Sequence, residues 1–185
     1  MTVFLLLAFL TAPCKATAPQ NFGQVSAEDG TFAGVYRGAQ PRNCGEIAYL
    51  RQLGVKTIVQ LNDAGSDADR REKDEAEAAG IRVESFDINP FAIGNKSSCA
   101  DVDRILEILS DESNRPAYVH CKLGRDRTDY IIGAFEEAVL HKSVIAVLAE
   151  LSSYGYHGYP TVLFRQIERE LRAGSPACTA DHAFR

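Results

Sequence analysis

The stretch "YVHCKLGRDRTDYIIGAFE", Tyr118 to Glu136, changes its pattern half-way, and that change decides the fold. "PAYVHC", which begins at Pro116, is short and apolar, as a strand buried on both faces should be. A glycine set among charged residues comes next, and from Arg127 "RTDYIIGAFEEAVLH" takes on helical spacing. Strand, tight loop and helix in so few residues place Cys121 at the carboxyl end of a strand. In open parallel sheets that is where ligands collect.

Outward from this unit, strands and helices alternate. "GTFAGVYRGAQP" reads as a short strand that ends in a turn at Gly38 and Pro41. "CGEIAYLRQLG" reads as a helix with Ile47, Leu50 and Leu53 at helical spacing and Gly54 as its stop. "VKTIVQL" (Val55 to Leu61) is a β-branched strand. "DADRREKDEAEAAG" is a charged helix closed by Gly80, and its charges are read as a solvated face. "IRVESFDI" (Ile81 to Ile88) alternates as a strand does, the loop "NPFAIGNKSSC" comes after it, and a helix is expected from Ala100 to Leu109. After the central unit, "SVIAVLAELSSYG" and "TVLFRQIERELRAG" continue as helices, and residues 175–185 form a loose tail. The expected class is α/β: a single domain over residues 21–174, with a central, mainly parallel sheet flanked by helices and a helical C-terminal half.

With 185 residues, 45% apolar and 24% charged, the chain suits one globular core. Its formal charge of −5 argues against a general nucleic-acid binder, so an anion must be held by a local site. "TVFLLLAFLTA" (Thr2 to Ala12) is apolar, short for a membrane span, and followed by small residues. Residues 1–16 are therefore expected to be a signal peptide or N-terminal anchor. The protein is exported in the first case, touches a membrane only through that segment in the second, and is cytoplasmic otherwise. Of the five cysteines, Cys14 falls in that leader, and Cys44, Cys99 and Cys178 read as structural or incidental. No cysteine or histidine spacing suggests zinc, and neither a metal nor another cofactor is called for.

The loop carries the chemistry. Between a buried strand and a helix, backbone N–H groups converge on one concavity, and the helix dipole adds positive charge. Gly124 lets the chain curl tightly. Cys121 then sees those dipoles together with Lys122, Arg125 and Arg127, all of which favour thiolate over thiol. Arg127, with its planar fork, can grip two phosphoryl oxygens, and Thr128 can donate a hydrogen bond to a departing sulfur. This arrangement suits phosphoryl transfer to a cysteine followed by hydrolysis.

His120-Cys121-Lys122-Leu123-Gly124-Arg125-Asp126-Arg127-Thr128 resembles the His-Cys-x5-Arg-Ser/Thr signature of the protein tyrosine phosphatase superfamily. "NFGQV", "GVYRGAQP", "LRQLGVKTIVQLND", "AGIRVESFDI" and "LSDESNRPAYVHCKLGRDRT" match in order the pattern of its atypical dual-specificity members from plants, fungi and bacteria. The resemblance implies that Cys121 forms a phosphoenzyme, that Arg127 binds phosphate and that Thr128 helps the thiolate leave. It makes His120 a neighbour that orders the loop. Residues 122–127, namely Lys122, Leu123, Gly124, Arg125, Asp126 and Arg127, would wrap the phosphate. Two candidates for the general acid stay open, Asp87 in "SFDINP" and Asp126 in the loop; Asp101 and Asp103 are expected to open a helix. Asp129 replaces the family's usual glycine and is expected to face solvent. Arg37 and Gln40 either line the rim or serve the strand end.

Expected substrates are a phosphorylated protein, a phosphoinositide or a soluble inositol phosphate, handled by a monomer without nucleic acid. The cations Lys122 and Arg125 favour the inositol-based classes. Two other readings compete, a rhodanese-type sulfurtransferase and a catalytically inactive phosphate-binding module. In an oxidising compartment, Cys99 or Cys44 is a candidate disulfide partner of Cys121.

Overall fold

The computed structural model describes residues 14–62, 65–88 and 96–154. Five strands make one sheet: β1 (Gly23–Ser26), β2 (Phe32–Ala39), β3 (Thr57–Gln60), β4 (Arg82–Ser85) and β5 (Ala117–Cys121). Their order is β1-β2-β5-β3-β4. All neighbours are parallel except β1, which pairs antiparallel with β2 and closes that edge. The mainly parallel sheet expected from the alternating pattern is therefore present. β1 is an addition, too short to announce itself by periodicity.

The helices are α1 (Cys44–Gln52), α2 (Asp67–Ala78), α3 (Lys96–Ser110), α4 (Asp126–Ala138) and α5 (Val144–Ser153). On one face α1 and α2 cover Tyr36, Ile58, Val83 and Tyr118 through Ile47, Leu50 and Ala76. The other face packs Val35, Val59, Val119 and Cys121 beneath α3, α4 and α5. β5 is buried at every position, as its unbroken apolar run requires. Its successor α4 lies on the face opposite α1 and α2, which come after β2 and β3. This opposition opens a crevice at the carboxyl end of β5.

Several expectations change. α3 begins at Lys96 rather than Ala100, so Asp101 and Asp103 lie inside the helix and do not open it. The charged helix α2 is not wholly solvated, because Asp69, Glu72 and Ala76 are buried. These residues recur at i, i+3 and i+7, which is the signature of one buried face. Cys14 forms a disulfide with Cys44, at a Cα–Cα distance of 5.9 Å. Thr17 N–H donates to Gly45 O beside it (3.1 Å). Residues 14–16 are thus fastened to α1, and Cys44 is not placed as a partner for Cys121. The side chain of Cys99, the whole of Cys178, the expected C-terminal helix and the tail lie outside the described residues. Most of the apolar leader does too.

The last two described helices, α4 and α5, are pinned to β1 by a buried cation. Lys142 Nζ donates to Glu136 Oε1 (2.7 Å), to Glu150 and to the carbonyl of Ser26 (3.0 Å). Lys142→Met strands both carboxylates and should cost about 3 kcal/mol, read as a lower midpoint in denaturant with an unchanged slope. An unaltered midpoint contradicts the joining of α4, α5 and β1 through this cation.

Candidate active site

Cys121 ends β5 and is almost wholly buried, with Sγ 3.8 Å from the carbonyl oxygen of Arg125. The hydrogen-bond ladder runs past it on both sides: Gln40 N–H donates to Cys121 O and Leu61 N–H to His120 O, each at 2.9 Å. The cysteine's backbone is therefore held between two neighbours, and the chain is free to turn only beyond it. The turn is made at Gly124, with φ of +66°. A Cβ at this position would stand 2.3 Å from the carbonyl carbon of Gly38. Glycine is required twice over, for the left-handed backbone and for the close approach to β2.

The helix that faces the cysteine is open at its start. α1, α2 and α5 are capped by the side chains of Asn43, Ser66 and Ser143. α4 has Arg125 at its N-cap position, where no side chain caps the helix. Its first-turn amides have no acceptor within the helix and point along the positive end of its dipole. Thr128, in that turn, is fully buried, and its Oγ1 has no hydrogen-bond partner among the described residues. Arg127 is half-buried, with Nη1 donating to the carbonyl of Leu61 (2.9 Å), which anchors its fork at the end of β3 beside the loop.

Beneath the loop lies a polar network. His120 is fully buried, and its Nε2 meets Glu72 Oε1 at 2.7 Å; a carboxylate only accepts, so the ring donates. Glu72 Oε2 also accepts from Gln40 Nε2 (3.0 Å) and Gln60 Nε2 (2.9 Å). Asp69 accepts from Gln40 and Asn62. Two acids read as solvated thus brace the residue before the cysteine.

Behind the loop stands Arg37. It is fully buried rather than on the rim, and Nη2 donates to Gly124 O (3.1 Å) and to Asp129 Oδ1. Asn21 Nδ2 donates to the same Gly124 carbonyl (2.8 Å) and to Tyr154 O (2.7 Å). The Tyr154 ring lies 4.0 Å from the guanidinium carbon, a cation–π cover for a charge whose other two nitrogens have no partner among the described residues. Asp129, expected in solvent, is buried because it is the counter-charge of Arg37.

The loop members Lys122, Leu123, Arg125 and Asp126 are exposed at the mouth. Asp87 is exposed just beyond β4, two strands from β5 along the same edge of the sheet. Asp126 is the first residue of α4 and sits in the loop itself. Among the described residues, no group of histidine, cysteine or acid side chains is arranged to hold a metal ion.

A family model described as "DSP-PTPase phosphatase fused to NAD+ Kinase" matches residues 14–161. The chain belongs to that phosphatase family. The loop from Cys121 to Arg127 lies within the matched residues. Similar proteins include a probable chloroplastic NAD kinase 2 from rice, 30% identical over 122 residues, which make up 65% of this chain and 12% of that protein. The rice inositol diphosphatase DSP2 is 25% identical over 140 residues, 73% of this chain and 62% of that one. The chain thus spans less than two thirds of either relative. Among solved structures, the core catalytic domain of the PP-IP phosphatase SIW14 from S. cerevisiae superposes with a TM-score of 0.62 at 20% identity, covering 83% of this chain and 87% of that one. P. aeruginosa TpbA gives 0.64 at 22% identity, over 91% and 98%. At such identities these likenesses bear on the fold.

Burial pushes the Asp129 carboxyl up to about 6, against the pull of Arg37. Because the folded value exceeds the ordinary 3.8, the folded chain holds this proton more tightly than the unfolded one. The stability it brings is complete below about pH 4 and is lost as pH rises through about 6. In an NMR titration of side-chain carboxyls, Asp129 should have its midpoint near pH 6, and Arg37→Met should move it further up. A midpoint that stays or falls in that variant contradicts the ion pair.

Proposed function

We propose that the protein hydrolyses phosphate monoesters through a phosphocysteine at Cys121. The observation that carries this reading is the uncapped first turn of α4, facing Cys121, with the Thr128 hydroxyl buried and unpaired among the described residues. Such a turn offers amide donors to the equatorial oxygens of a transferring phosphoryl group, fixed before the reaction begins. Cys121 attacks phosphorus, an S–P bond forms, and the ester P–O bond breaks. The leaving oxygen takes a proton from an aspartic acid. Water, giving a proton to the same carboxylate, then attacks the phosphocysteine. The S–P bond breaks, orthophosphate departs, and the thiolate leaves with a hydrogen bond from Thr128. Arg127 and the loop amides of residues 122–127 hold the oxygens throughout, and His120 positions the cysteine from below through Glu72.

Asp126 is proposed as the acid, supported by its place in the loop; Asp87 lies two strands off and is the alternative. An oxidising compartment is the proposed location, supported by the Cys14–Cys44 disulfide, which requires that a cleaved leader end before Cys14 rather than at residue 16. One chain supplies every residue of the described site, so a monomer suffices. The inositol diphosphatases among the relatives, and the cations at the mouth, support an inositol phosphate over a phosphotyrosine substrate.

Cys121→Ser should abolish turnover yet still bind phosphate esters, with wild-type protein yielding a trapped phosphocysteine on rapid acid quench. Turnover in that variant, or a phosphate trapped elsewhere, refutes the mechanism. Asp126→Asn should slow an alkyl phosphate by about a hundredfold and p-nitrophenyl phosphate far less, since nitrophenolate leaves without a proton. The reverse assignment is established if Asp87→Asn alone shows that split.

A further inference from the structure

On the α2 side of the phosphatase loop, a recess of about 280 Å³ opens between α2 and the segment after β2. Arg42, Arg71 and Lys122 line it, along with Gln40, Glu72 and Glu75. All three cations are exposed. Among the described residues the side chains of Arg42 and Lys122 have no hydrogen-bond or ion-pair partner, and Arg71 spends only Nε, on the carbonyl of Asp67 (3.2 Å). The carboxylates are differently placed. Glu72 is buried, and both its oxygens are already taken by His120, Gln40 and Gln60. Glu75 is the one open acid against three open cations. In a chain of net charge −5 this is a local inversion of sign, beside the loop that handles phosphate.

The recess is joined to the cysteine. Its wall residue Gln40 donates its backbone N–H to Cys121 O at 2.9 Å, and Lys122 is the next residue in the chain, with its Cα about 3.8 Å from that of Cys121. The recess and the loop that follows Cys121 therefore share Lys122 as a common wall. Adjacent side chains of an extended peptide point to opposite faces, so neighbouring phosphoresidues do not fill both places. Guanidinium forks match phosphoryl oxygens in pairs.

We propose that this recess is a second anion subsite, formed by Arg42, Arg71 and Lys122, which holds a further phosphoryl group of the substrate. The site thereby selects small molecules bearing two or more phosphoryl groups. This selection rests on the phosphatase activity proposed for Cys121; the anion subsite stands on its own geometry.

The test is calorimetric binding to the Cys121→Ser protein at physiological salt, with myo-inositol 1-phosphate and myo-inositol hexakisphosphate as probes. The hexakisphosphate should bind at least about tenfold more tightly, and the Arg42→Glu/Arg71→Glu pair should remove that advantage. Lys56→Glu/Arg104→Glu makes the same change in net charge at exposed positions away from the recess, and should retain it. An advantage that survives the first pair, or falls equally with the second, overturns the subsite. If the first pair misfolds, Arg42→Gln/Arg71→Gln serves in its place, with a smaller loss in the same direction expected and no loss counting against the subsite.

Vesicles of phosphatidylcholine with phosphatidylinositol 4,5-bisphosphate separate the sources. Arginine-dependent retention assigns the group to a lipid headgroup, and no retention assigns it to a soluble molecule. A doubly phosphorylated peptide that shows the same arginine-dependent advantage in place of the inositol probe overturns the small-molecule assignment. Cys121-dependent turnover of p-nitrophenyl phosphate by the otherwise wild-type protein is measured in parallel. Its absence removes the phosphatase reading and with it the selection of substrates, while the binding ratio still decides the anion subsite.

Discussion

Everything at this site depends on the direction in which one carbonyl points. The oxygen of Gly124 accepts from Arg37 and Asn21, which draws it toward β2 and away from the crevice. The peptide group is planar and trans, so its N–H, which belongs to Arg125, must point the opposite way. A cradle of amides cannot be built by glycine flexibility alone, since the same freedom would let the peptide turn over. Glycine permits the approach to Gly38, and the buried guanidinium and Asn21 then decide which way the peptide faces.

A charge at such depth needs an opposite charge, and Asp129 supplies it. The same logic recurs below the loop, where Glu72 meets His120 and two glutamine amides. The buried acids around the loop, Asp69, Glu72 and Asp129, thus serve as braces, and a molecule of negative net charge can still present donors to an anion. Local dipoles and guanidinium groups within a few ångströms outweigh distant carboxylates, whose fields are screened by water and salt.

The features legible from sequence alone are those local along the chain. The apolar run of β5, Gly124 and the helical pattern from Arg127 are close neighbours in sequence, and short-range stereochemistry determines them. α1 shows its end in Gly54 for the same reason. The features that escape such a reading join distant segments. Arg37 and Asp129 are 92 positions apart, and an aspartate in a first helical turn is equally at home in water, so nothing local reveals its partner. Asp69 and Glu72 are lost in a run of charges, although their spacing with Ala76 marks a face turned inward. The Cys14–Cys44 link is hidden because the first cysteine comes after an apolar run that reads as a leader.

That link has a consequence for the cradle. It closes a covalent ring between positions 30 apart, and the ring encloses β1, β2, Asn21 and Arg37. Tying the ends of such a segment removes disorder from the unfolded chain, worth roughly 3–4 kcal/mol on the chain-entropy account. Opening the bond would leave the polypeptide arm that carries both donors to Gly124 secured by non-covalent contacts alone. The sulfur pair at one end of the molecule thereby acts as a remote guy-rope for the thiol at its centre.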